Sequence, residues 1–332
     1  MTWFERLTGF DEISPHQVRE NLRIKGDALT SLVNGKTYAH GCLEIPALLE
    51  LRNRVAVLGP ATGRLSLREI VADVTELHAD PTQAGALFQV ASQFNLLEMI
   101  SPRITPEHGV GIYENDPTQG PACAIAAGAG TIYRNYFVRM RGHVGQSAHH
   151  QIDCLADLGA ALDNANQHYW SMKNGYALAS RGGLGQLSSR LAALSKHELD
   201  RLKRFLRIGL QWNTQVTLKN CQHRITQAYC SALPIAYSHL PARLWEHFAR
   251  LILNAAYEAT LRAAILNARS TGNRRVFLTL LGGGAFGNDP EWITSAIERA
   301  LRLHAHHDLE VVIVSHGASR PAVQQLIQQF SP

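Results

Sequence analysis

The stretch VFLTLLGGGAFGNDPEW, from Val276 to Trp292, decides the fold prediction. An apolar run typical of a buried strand leads directly into three glycines, and a helix is predicted to begin near Asp289 and Pro290. Glycines allow backbone N–H groups to approach a phosphate closely, and the positive end of the following helix points to the same place. The stretch therefore predicts a strand followed by a phosphate-binding loop. A glycine turn that serves only close packing is the alternative interpretation.

Taken literally, Gly282, Gly284 and Gly287 match G-x-G-x-x-G, the fingerprint of dinucleotide-binding folds. Those folds place an acidic residue at the end of the next strand, where it binds a ribose hydroxyl. Here the next apolar run, EVVIVS, ends at Ser315 and is followed by His316. A Walker A loop is also excluded, because no Gly-Lys-Ser/Thr follows the glycines. The sequence therefore predicts a phosphate loop outside these two families.

The composition is that of an ordinary folded protein. Of 332 residues, 45% are hydrophobic and 18% are charged, which predicts one large or two modest domains. The formal net charge is +5, but Lys and Arg are scattered along the chain. The densest cluster, RLKRFLR at residues 201–207, has the spacing of a solvated helix face. We therefore expect no nucleic-acid partner.

The cysteines and the apolar stretches indicate the compartment. None of the five cysteines forms a C-x-x-C pair, which favours a reduced compartment over a disulfide framework or a zinc site. No stretch approaches the length of a membrane helix, and the first residues do not resemble a secretory signal. We expect a cytoplasmic protein without a membrane partner or a bound metal, although leaderless export as an effector stays open. Cys123 and Cys230 lie in apolar surroundings and are expected to be buried, unreactive thiols.

The order of predicted elements indicates an α/β fold. VAVLG, residues 55–59, is a short apolar run predicted to be a buried strand. The run QVASQFN is a second candidate strand, and helical patterns dominate residues 150–208. Near the end of the chain, strand, glycine loop, helix and strand alternate, which is typical of a layered α/β fold with a partly parallel sheet.

A second motif carries a resemblance to a known family. The stretch ADVT contains Asp73, and an apolar strand after it leads to Asn95. This arrangement, with a late glycine loop, resembles macrodomains, which bind ADP-ribose. Ala72 stands where the usual motif has Gly, and ASQFN stands where it has Asn-Ala-Ala-Asn. The likeness is therefore to a divergent branch.

Four longer segments are similar to the MavL-type macrodomain effectors, which are related in style to poly(ADP-ribose) glycohydrolases. The segments are HADPTQAGALFQVASQFNLLEM, YENDPTQGPACAIAAGAGTIYRNYF, AYCSALPIAYS and TLLGGGAFGN. The resemblance runs from about residue 20 to the end of the chain and implies a three-layer α/β/α fold with a mixed sheet. On this basis we expect an N-terminal extension (1–55) packed on a macro-like domain (56–332), with a largely helical insertion at about 150–210.

The resemblance also implies a ligand site. Asp73 takes the place of the aspartate that accepts a hydrogen bond from the adenine amine, and Asn95 that of the asparagine near the distal ribose. The late glycine loop is expected to hold the diphosphate, with Phe286 against the distal ribose. The expected ligand-binding residues are Asp73, Gln93, Asn95, Tyr133, Arg134, Gly282, Gly283, Gly284, Ala285, Phe286, Gly287 and Asn288. Tyr133 would stack on adenine and Arg134 would contact a phosphate; a core tyrosine and a structural arginine are the alternatives.

Cleavage of an ADP-ribosyl linkage needs carboxylates. The bond at the anomeric carbon breaks through a transition state that resembles an oxocarbenium ion, so a nearby carboxylate can activate water, protonate the leaving group or stabilise charge. Asp116, on a long loop before a helix of small residues, is the first candidate. Glu98 would face the same cleft if residues 94–99 form a helical turn. Asp80 is the third candidate and could instead be a turn residue.

The sequence therefore predicts an ADP-ribosyl hydrolase without metal or cofactor. Its partners would be ADP-ribose and ADP-ribosylated proteins, with arginine the acceptor implied by the resemblance. A non-catalytic ADP-ribose reader uses the same pocket and differs only in turnover. An enzyme that processes NAD or nucleotides is the third possibility.

Overall fold

The computed structural model describes residues 1–140 and 142–330. Strands in this part of the chain are β1 (Leu22–Lys25), β2 (Ala28–Ser31), β3 (Thr37–Ala39), β4 (Cys42–Glu44), β5 (Ser66–Val71), β6 (Leu87–Ala91), β7 (Arg139–Met140), β8 (His143–Val144), β9 (Trp170–Lys173), β10 (Tyr176–Ala179), β11 (Gly209–Gln215), β12 (Arg224–Cys230), β13 (Arg275–Leu278) and β14 (Glu310–Ser315). The helices are α1 (Trp3–Thr8), α2 (Pro15–Asn21), α3 (Leu48–Ala56), α4 (Val74–Ala79), α5 (Gln119–Ala126), α6 (Gly128–Tyr136), α7 (Ala156–Ala161), α8 (Arg181–Ala192), α9 (Lys196–Lys203), α10 (Ala242–Thr271), α11 (Pro290–Leu303) and α12 (Pro321–Phe330).

A mixed sheet of seven strands forms the centre of the molecule. Its order is β4-β11-β12-β6-β13-β14-β5. Strands β12, β6, β13, β14 and β5 run parallel, whereas β11 runs antiparallel to both of its neighbours. Parallel neighbours need crossover connections, and helices supply them. The prediction of an α/β fold with a mixed sheet is therefore confirmed.

Helices cover both faces of this sheet. Strand β6 shows the two sides: Gln89 donates a hydrogen bond to Thr260 of α10 over 2.9 Å, whereas Phe88 contacts His78 of α4. The strand residues from Leu87 to Val90 are all buried, as expected for a central parallel strand covered twice. This arrangement confirms the predicted three-layer α/β/α architecture. Among the described helices, none combines the length and the apolarity needed to cross a bilayer.

The strand predicted at residues 55–59 is wrong. Helix α3 occupies 48–56, and Leu48, Leu51 and Val55 form its buried side at helical spacing. Val57, beyond the end of the helix, is 83% exposed. The apolar run VAVLG therefore joins the last turn of a helix to an exposed turn, and its two halves have different surroundings.

Two segments add to the three layers. Residues 1–55 contain α1, α2, a small antiparallel sheet of β1, β2 and β3, and the edge strand β4 of the main sheet. The predicted boundary at residue 55 falls inside α3. Residues 150–210 contain α7, the β9–β10 hairpin, α8, α9 and the start of β11. Tyr176 of this hairpin reaches the cavity described next.

Candidate functional site

A cavity of about 590 Å³ lies at the carboxyl ends of strands β5, β6, β13 and β14. This is the edge of a parallel sheet at which α/β proteins bind ligands, and the volume is within the range of small-molecule sites. The walls come from residues 72–75, 91–93, 98–100, 116–122, 279–286 and 314–316, together with Tyr176, Ala232, Tyr237 and Arg320. Most of the predicted site residues lie on these segments.

The sheet itself opens at the cavity. Strands β6 and β13 pair only at their first residues, Val276 with Leu87 and Phe277 with Phe88. Beyond that point the side chain of Gln119, from α5, replaces the missing strand. It accepts a hydrogen bond from the N–H of Ala91 and donates one to the carbonyl of Gln89, both over 2.9 Å. Since these backbone groups are satisfied, the two strands can separate without leaving buried polar groups unpaired.

The glycine loop after β13 forms one wall of the cavity. Gly282 has a φ of +75°, and a Cβ placed there would lie 2.4 Å from the Cβ of Ala232. Gly284 faces open space. Within the described residues, the N–H groups of Gly284, Ala285 and Phe286 donate to no protein acceptor. Free N–H groups on successive loop residues form a concave site for an anion.

Two buried side chains hold this loop in place. The hydroxyl of Tyr257 donates to the carbonyl of Thr279 over 2.7 Å and accepts from the N–H of Leu281 over 2.9 Å. Asn288 donates its side-chain N–H to the carbonyl of Leu233 over 2.8 Å, and its backbone N–H to Gly282. Asn288 and Gly287 therefore close the loop from behind and do not line the cavity.

Asp73 lies at the end of the cavity formed by β5 and β14. Its carboxylate caps α4 and accepts hydrogen bonds from the N–H and the hydroxyl of Thr75, over 2.7 and 2.6 Å. These bonds, with a smaller effect of His316 and Lys219, hold the pKa of Asp73 below its usual value. An ionised carboxylate here can accept a hydrogen bond from an amine. Arg320, beside His316, adds a cationic group to the same end.

Glu98 lies at the other end of the cavity and is only 3% exposed. Burial raises the pKa of this carboxyl well above its usual range, although Arg134 opposes the shift. Within the described residues its Oε1 has no hydrogen-bond partner. A Cβ at position 120 would lie 2.4 Å from its Oε2, so Gly120 leaves room for the carboxyl. Glu98 is therefore a buried acid whose surroundings favour its protonated form, and one of its oxygens is free.

Asp116 lies beside Glu98, on the loop before α5. Its side chain is partly exposed and accepts a hydrogen bond from the N–H of Thr118 over 2.9 Å. Its charge contributes to raising the pKa of Glu98. The two predicted carboxyl groups thus line the same cavity, Glu98 buried in its wall and Asp116 partly exposed.

Two predicted residues, Asn95 and Asp80, do not line the cavity. Asn95 is fully buried behind the wall, where its side chain accepts from the N–H of Leu97 and donates to Gln151. Asp80 caps a short 3-10 helix ahead of β6 and accepts hydrogen bonds from Thr82 and Gln83. Since β6 begins there, Asp80 lies at the amino end of the strand, away from the cavity.

Tyr133 and Arg134, predicted to contact adenine and phosphate, also lie outside the cavity lining. Tyr133 stacks on His40 with ring centroids 4.2 Å apart. Arg134 is buried beneath residues 95–98 and packs over the ring of Tyr229. Of the predicted ligand residues, the structure brings Asp73, Gln93 and the loop from Gly282 to Phe286 to the cavity.

Two aromatic residues of the cavity were not predicted. Tyr176 and Tyr237 form a cluster with Phe286, and the ring centroids lie 5.1 to 5.6 Å apart. The three side chains come from the β9–β10 hairpin, the segment after β12 and the glycine loop. Tyr237 falls within AYCSALPIAYS, one of the segments that carried the resemblance. Nothing in the local pattern around Tyr176 indicated a ligand site.

The described residues contain no group of three or more His, Cys, Asp and Glu side chains arranged to hold a metal ion. Cys123 and Cys230 are both buried, and burial raises the pKa of each thiol.

Solved structures of poly(ADP-ribose) glycohydrolases are similar to this chain. The enzyme from Thermomonospora curvata is 14% identical with a TM-score of 0.46, and the alignment covers 95% of each chain. The enzyme from Deinococcus radiodurans, solved in complex with ADP-ribose, is 12% identical with a TM-score of 0.44, over 95% of this chain and 97% of that one. No protein-family model matches the sequence, and no curated protein matches it either.

Proposed function

We propose that this protein is an ADP-ribosyl hydrolase that removes ADP-ribose from modified protein side chains. The observation that carries the proposal is the pairing of Glu98 and Asp116 at one end of a cavity whose wall is an unpartnered glycine loop. A phosphate site alone fits any nucleotide protein. A buried carboxyl with a raised pKa and a partly exposed carboxyl, both in the same cavity, fit cleavage of a glycosidic bond.

Asp73, the glycine loop, Glu98 and Asp116 all line this one cavity, so a single ADP-ribose molecule can contact all of them. Asp73 accepts a hydrogen bond from the adenine amine at one end of the cavity, and His316 and Arg320 also line the cavity. The free N–H groups of the glycine loop bind the diphosphate. The distal ribose then lies against Phe286, with its anomeric carbon towards Glu98 and Asp116.

The reaction needs one proton donor and one proton acceptor. Asp116 takes a proton from water, and the water oxygen forms a bond to the anomeric carbon. The bond from that carbon to the acceptor side chain breaks, and Glu98 gives its proton to the departing atom. The products are ADP-ribose and the unmodified side chain, and exchange with solvent restores both carboxyl groups.

Arginine is the acceptor that this chemistry and the sequence resemblance favour. A guanidine released without a proton is a poor leaving group, because the pKa of arginine exceeds about 12. A buried carboxyl whose pKa is raised can supply this proton, and Glu98 is such a group.

The test is release of ADP-ribose from a protein modified on arginine, in the presence of a metal chelator. Turnover is expected from the native protein and from Asp80→Asn, since Asp80 lies away from the cavity. Calorimetry with ADP-ribose, AMP and NAD accompanies it. Binding of ADP-ribose without turnover would make the protein a reader, and consumption of NAD alone would support a nucleotide-processing enzyme. Loss of turnover in the chelator would overturn the prediction of a metal-independent reaction.

A further inference from the structure

Arg134 is a buried cation without an anionic partner. It is 1% exposed, and within the described residues no carboxylate oxygen lies close enough to form an ion pair with it. The partly buried Arg52 and Arg299, in contrast, are paired, since both contact Glu258. An uncompensated buried charge is costly, so a fold that keeps one needs another reason for it.

Only neutral groups hold the Arg134 guanidinium. It donates to the hydroxyl of Thr131 over 3.0 Å, to the side-chain oxygen of Gln211 over 3.3 Å and to the carbonyl of Leu96 over 3.2 Å. Its plane packs 3.7 Å from the ring centroid of Tyr229. These contacts fix the position of the charge but do not neutralise it.

The contact with Leu96 connects Arg134 to the cavity. Leu96 has a φ of +64°, which a branched side chain rarely adopts, and it is part of the tight turn that precedes Glu98. A hydrogen bond to the Leu96 carbonyl supports this turn. Glu98 follows two residues later and enters the cavity from it. Displacement of the turn would therefore displace the carboxyl group.

The charge of Arg134 also acts on Glu98 directly. The titratable groups around Glu98 are Arg134 on α6, Asp116 before α5, Cys123 on α5, Tyr113 on a 3-10 helix, Tyr176 on β10 and Tyr229 on β12. Among these groups Arg134 is the one that is cationic. It favours the ionised form of Glu98, and the hydroxyl of Ser92 has a smaller effect in the same direction.

We propose that Arg134 is a positioning residue: it holds the turn from which Glu98 enters the cavity and compensates the charge left on Glu98 when the proton departs. This inference rests on the proposed role of Glu98 as proton donor. This role explains why Arg134 has no anionic partner, because the anion that it compensates, ionised Glu98, exists only after proton transfer.

The experiment follows the Glu98 carboxyl directly, without substrate. Protein labelled with ¹³C at the glutamate carboxyl carbon is titrated by NMR, and the signal absent from Glu98→Gln identifies Glu98. In Arg134→Met the titration midpoint is expected to rise by about 1 pH unit or more, because a nearby opposite charge is lost. Arg134→Lys keeps the charge and should shift the midpoint much less. Arg299→Met is the matched control, since it removes an interior arginine on another side of the molecule and should leave the midpoint unchanged.

Turnover provides the second measurement. Arg134→Met should lower kcat on the order of tenfold with little change in KM, because positioning acts on the bond-breaking step. An unchanged midpoint in folded Arg134→Met would overturn the inference, whatever the activity. If that variant does not fold, Arg134→Gln keeps hydrogen-bond donors without the charge and carries the same test. A shifted midpoint in a protein whose native form has no turnover would count against the hydrolase and not against the compensation of charge.

Discussion

Two buried glutamates, Glu98 and Glu258, have opposite surroundings. Both are almost fully buried, at 3% and 1% exposure. Glu258, on α10, accepts hydrogen bonds from Arg52, Arg262 and Arg299 over 2.7 to 3.1 Å. Burial raises its pKa, but these three arginines outweigh burial and lower the pKa to about 2. Glu98 has one cation nearby, Arg134, which forms no ion pair with it; one oxygen is free, and burial holds the pKa well above the usual range.

The difference separates a structural carboxylate from a reactive one. Every lone pair of Glu258 that could act on a ligand is already used by an arginine. Glu98 carries an unused oxygen beside a cavity, and burial favours its neutral form, whereas three arginines favour the ionised form of Glu258. Unsatisfied buried groups with shifted pKa values occur at functional sites more often than elsewhere. Substitutions at the two positions should therefore affect different properties.

The largest effect is expected from Glu98→Gln. This change removes the transferable proton and nearly preserves the shape, so kcat should fall by about 10³-fold. Stability at neutral pH should stay the same or rise. Burial opposes ionisation of the Glu98 carboxyl, whereas a neutral amide carries no such cost. Hydrolysis of ADP-ribosyl-arginine and thermal unfolding measure the two quantities. Turnover within tenfold of the native rate would remove Glu98 from the mechanism.

Glu258→Gln should show the reverse pattern. It leaves three arginines around an uncharged side chain, and the loss of one partner of a buried ion pair costs about 3–5 kcal/mol in the free energy of unfolding. The folded fraction should keep its kcat, since α10 contacts the cavity only through Tyr257 and the loop base. Urea unfolding and activity corrected for the folded fraction test this. A loss of turnover without loss of stability would contradict the distinction between the two glutamates.

Acid should abolish the difference in the free energy of unfolding between the native protein and Glu258→Gln. The pKa of Glu258 is about 2 in the folded state, below the ordinary glutamate value of 4.5. Its contribution to stability is therefore present above about pH 4.5 and is lost as the pH falls towards 2. Curves of the free energy of unfolding against pH for the two proteins should converge in this range. Curves that stay parallel down to pH 2 would show that the arginines do not stabilise this carboxylate.

Asp116→Asn should lower kcat by about 10²-fold, less than Glu98→Gln, because a weaker general base still leaves the proton donor in place. The affinity for ADP-ribose should stay within about threefold, since the side chain acts on water and not on the bound nucleotide. Single-turnover kinetics and calorimetry separate the two effects. Unchanged turnover would assign the base to another group.

The smallest effect is expected from Gly282→Ala, which tests the loop and not the acids. Gly282 has a φ of +75° and no room for a Cβ, so the substitution should displace the loop and weaken ADP-ribose binding by about tenfold. Gly59→Ala is the control, because Gly59 has a φ of +85° but faces open space. Equal losses in both variants would show that the effect is general instability and not a change at the loop.

The sequence predicted the layers and the loop because their signals are local. Apolar runs that end in glycine, such as the one that ends at Leu281, need no distant contact to be interpreted. The prediction of a strand at 55–59 was wrong because it also used only local sequence. Val55 completes a helical side that begins at Leu48, and five residues are too few to show this periodicity.

The position of single side chains was harder to predict. Glu98 was expected in the cavity through a helical turn, yet it reaches it through a turn with Leu96 in the left-handed region. That turn directs Asn95 behind the wall. Arg134 was expected to contact a phosphate because of its helical or loop placement in TIYRNYF, but it is buried away from the cavity lining. Its contacts with Tyr229 and Gln211 join segments far apart in the chain, and no local pattern contains them.

The donors of the glycine loop belong to the main chain, and this has a consequence for mutagenesis. Gly284→Ala would leave its N–H group in place, and residue 285 is already alanine, so an alanine scan would not detect these donors to the diphosphate. Proline at a single position, or a backbone ester introduced by chemical synthesis, deletes one donor at a time. Such changes to single backbone groups would reveal binding by main-chain N–H donors, which side-chain substitutions do not detect.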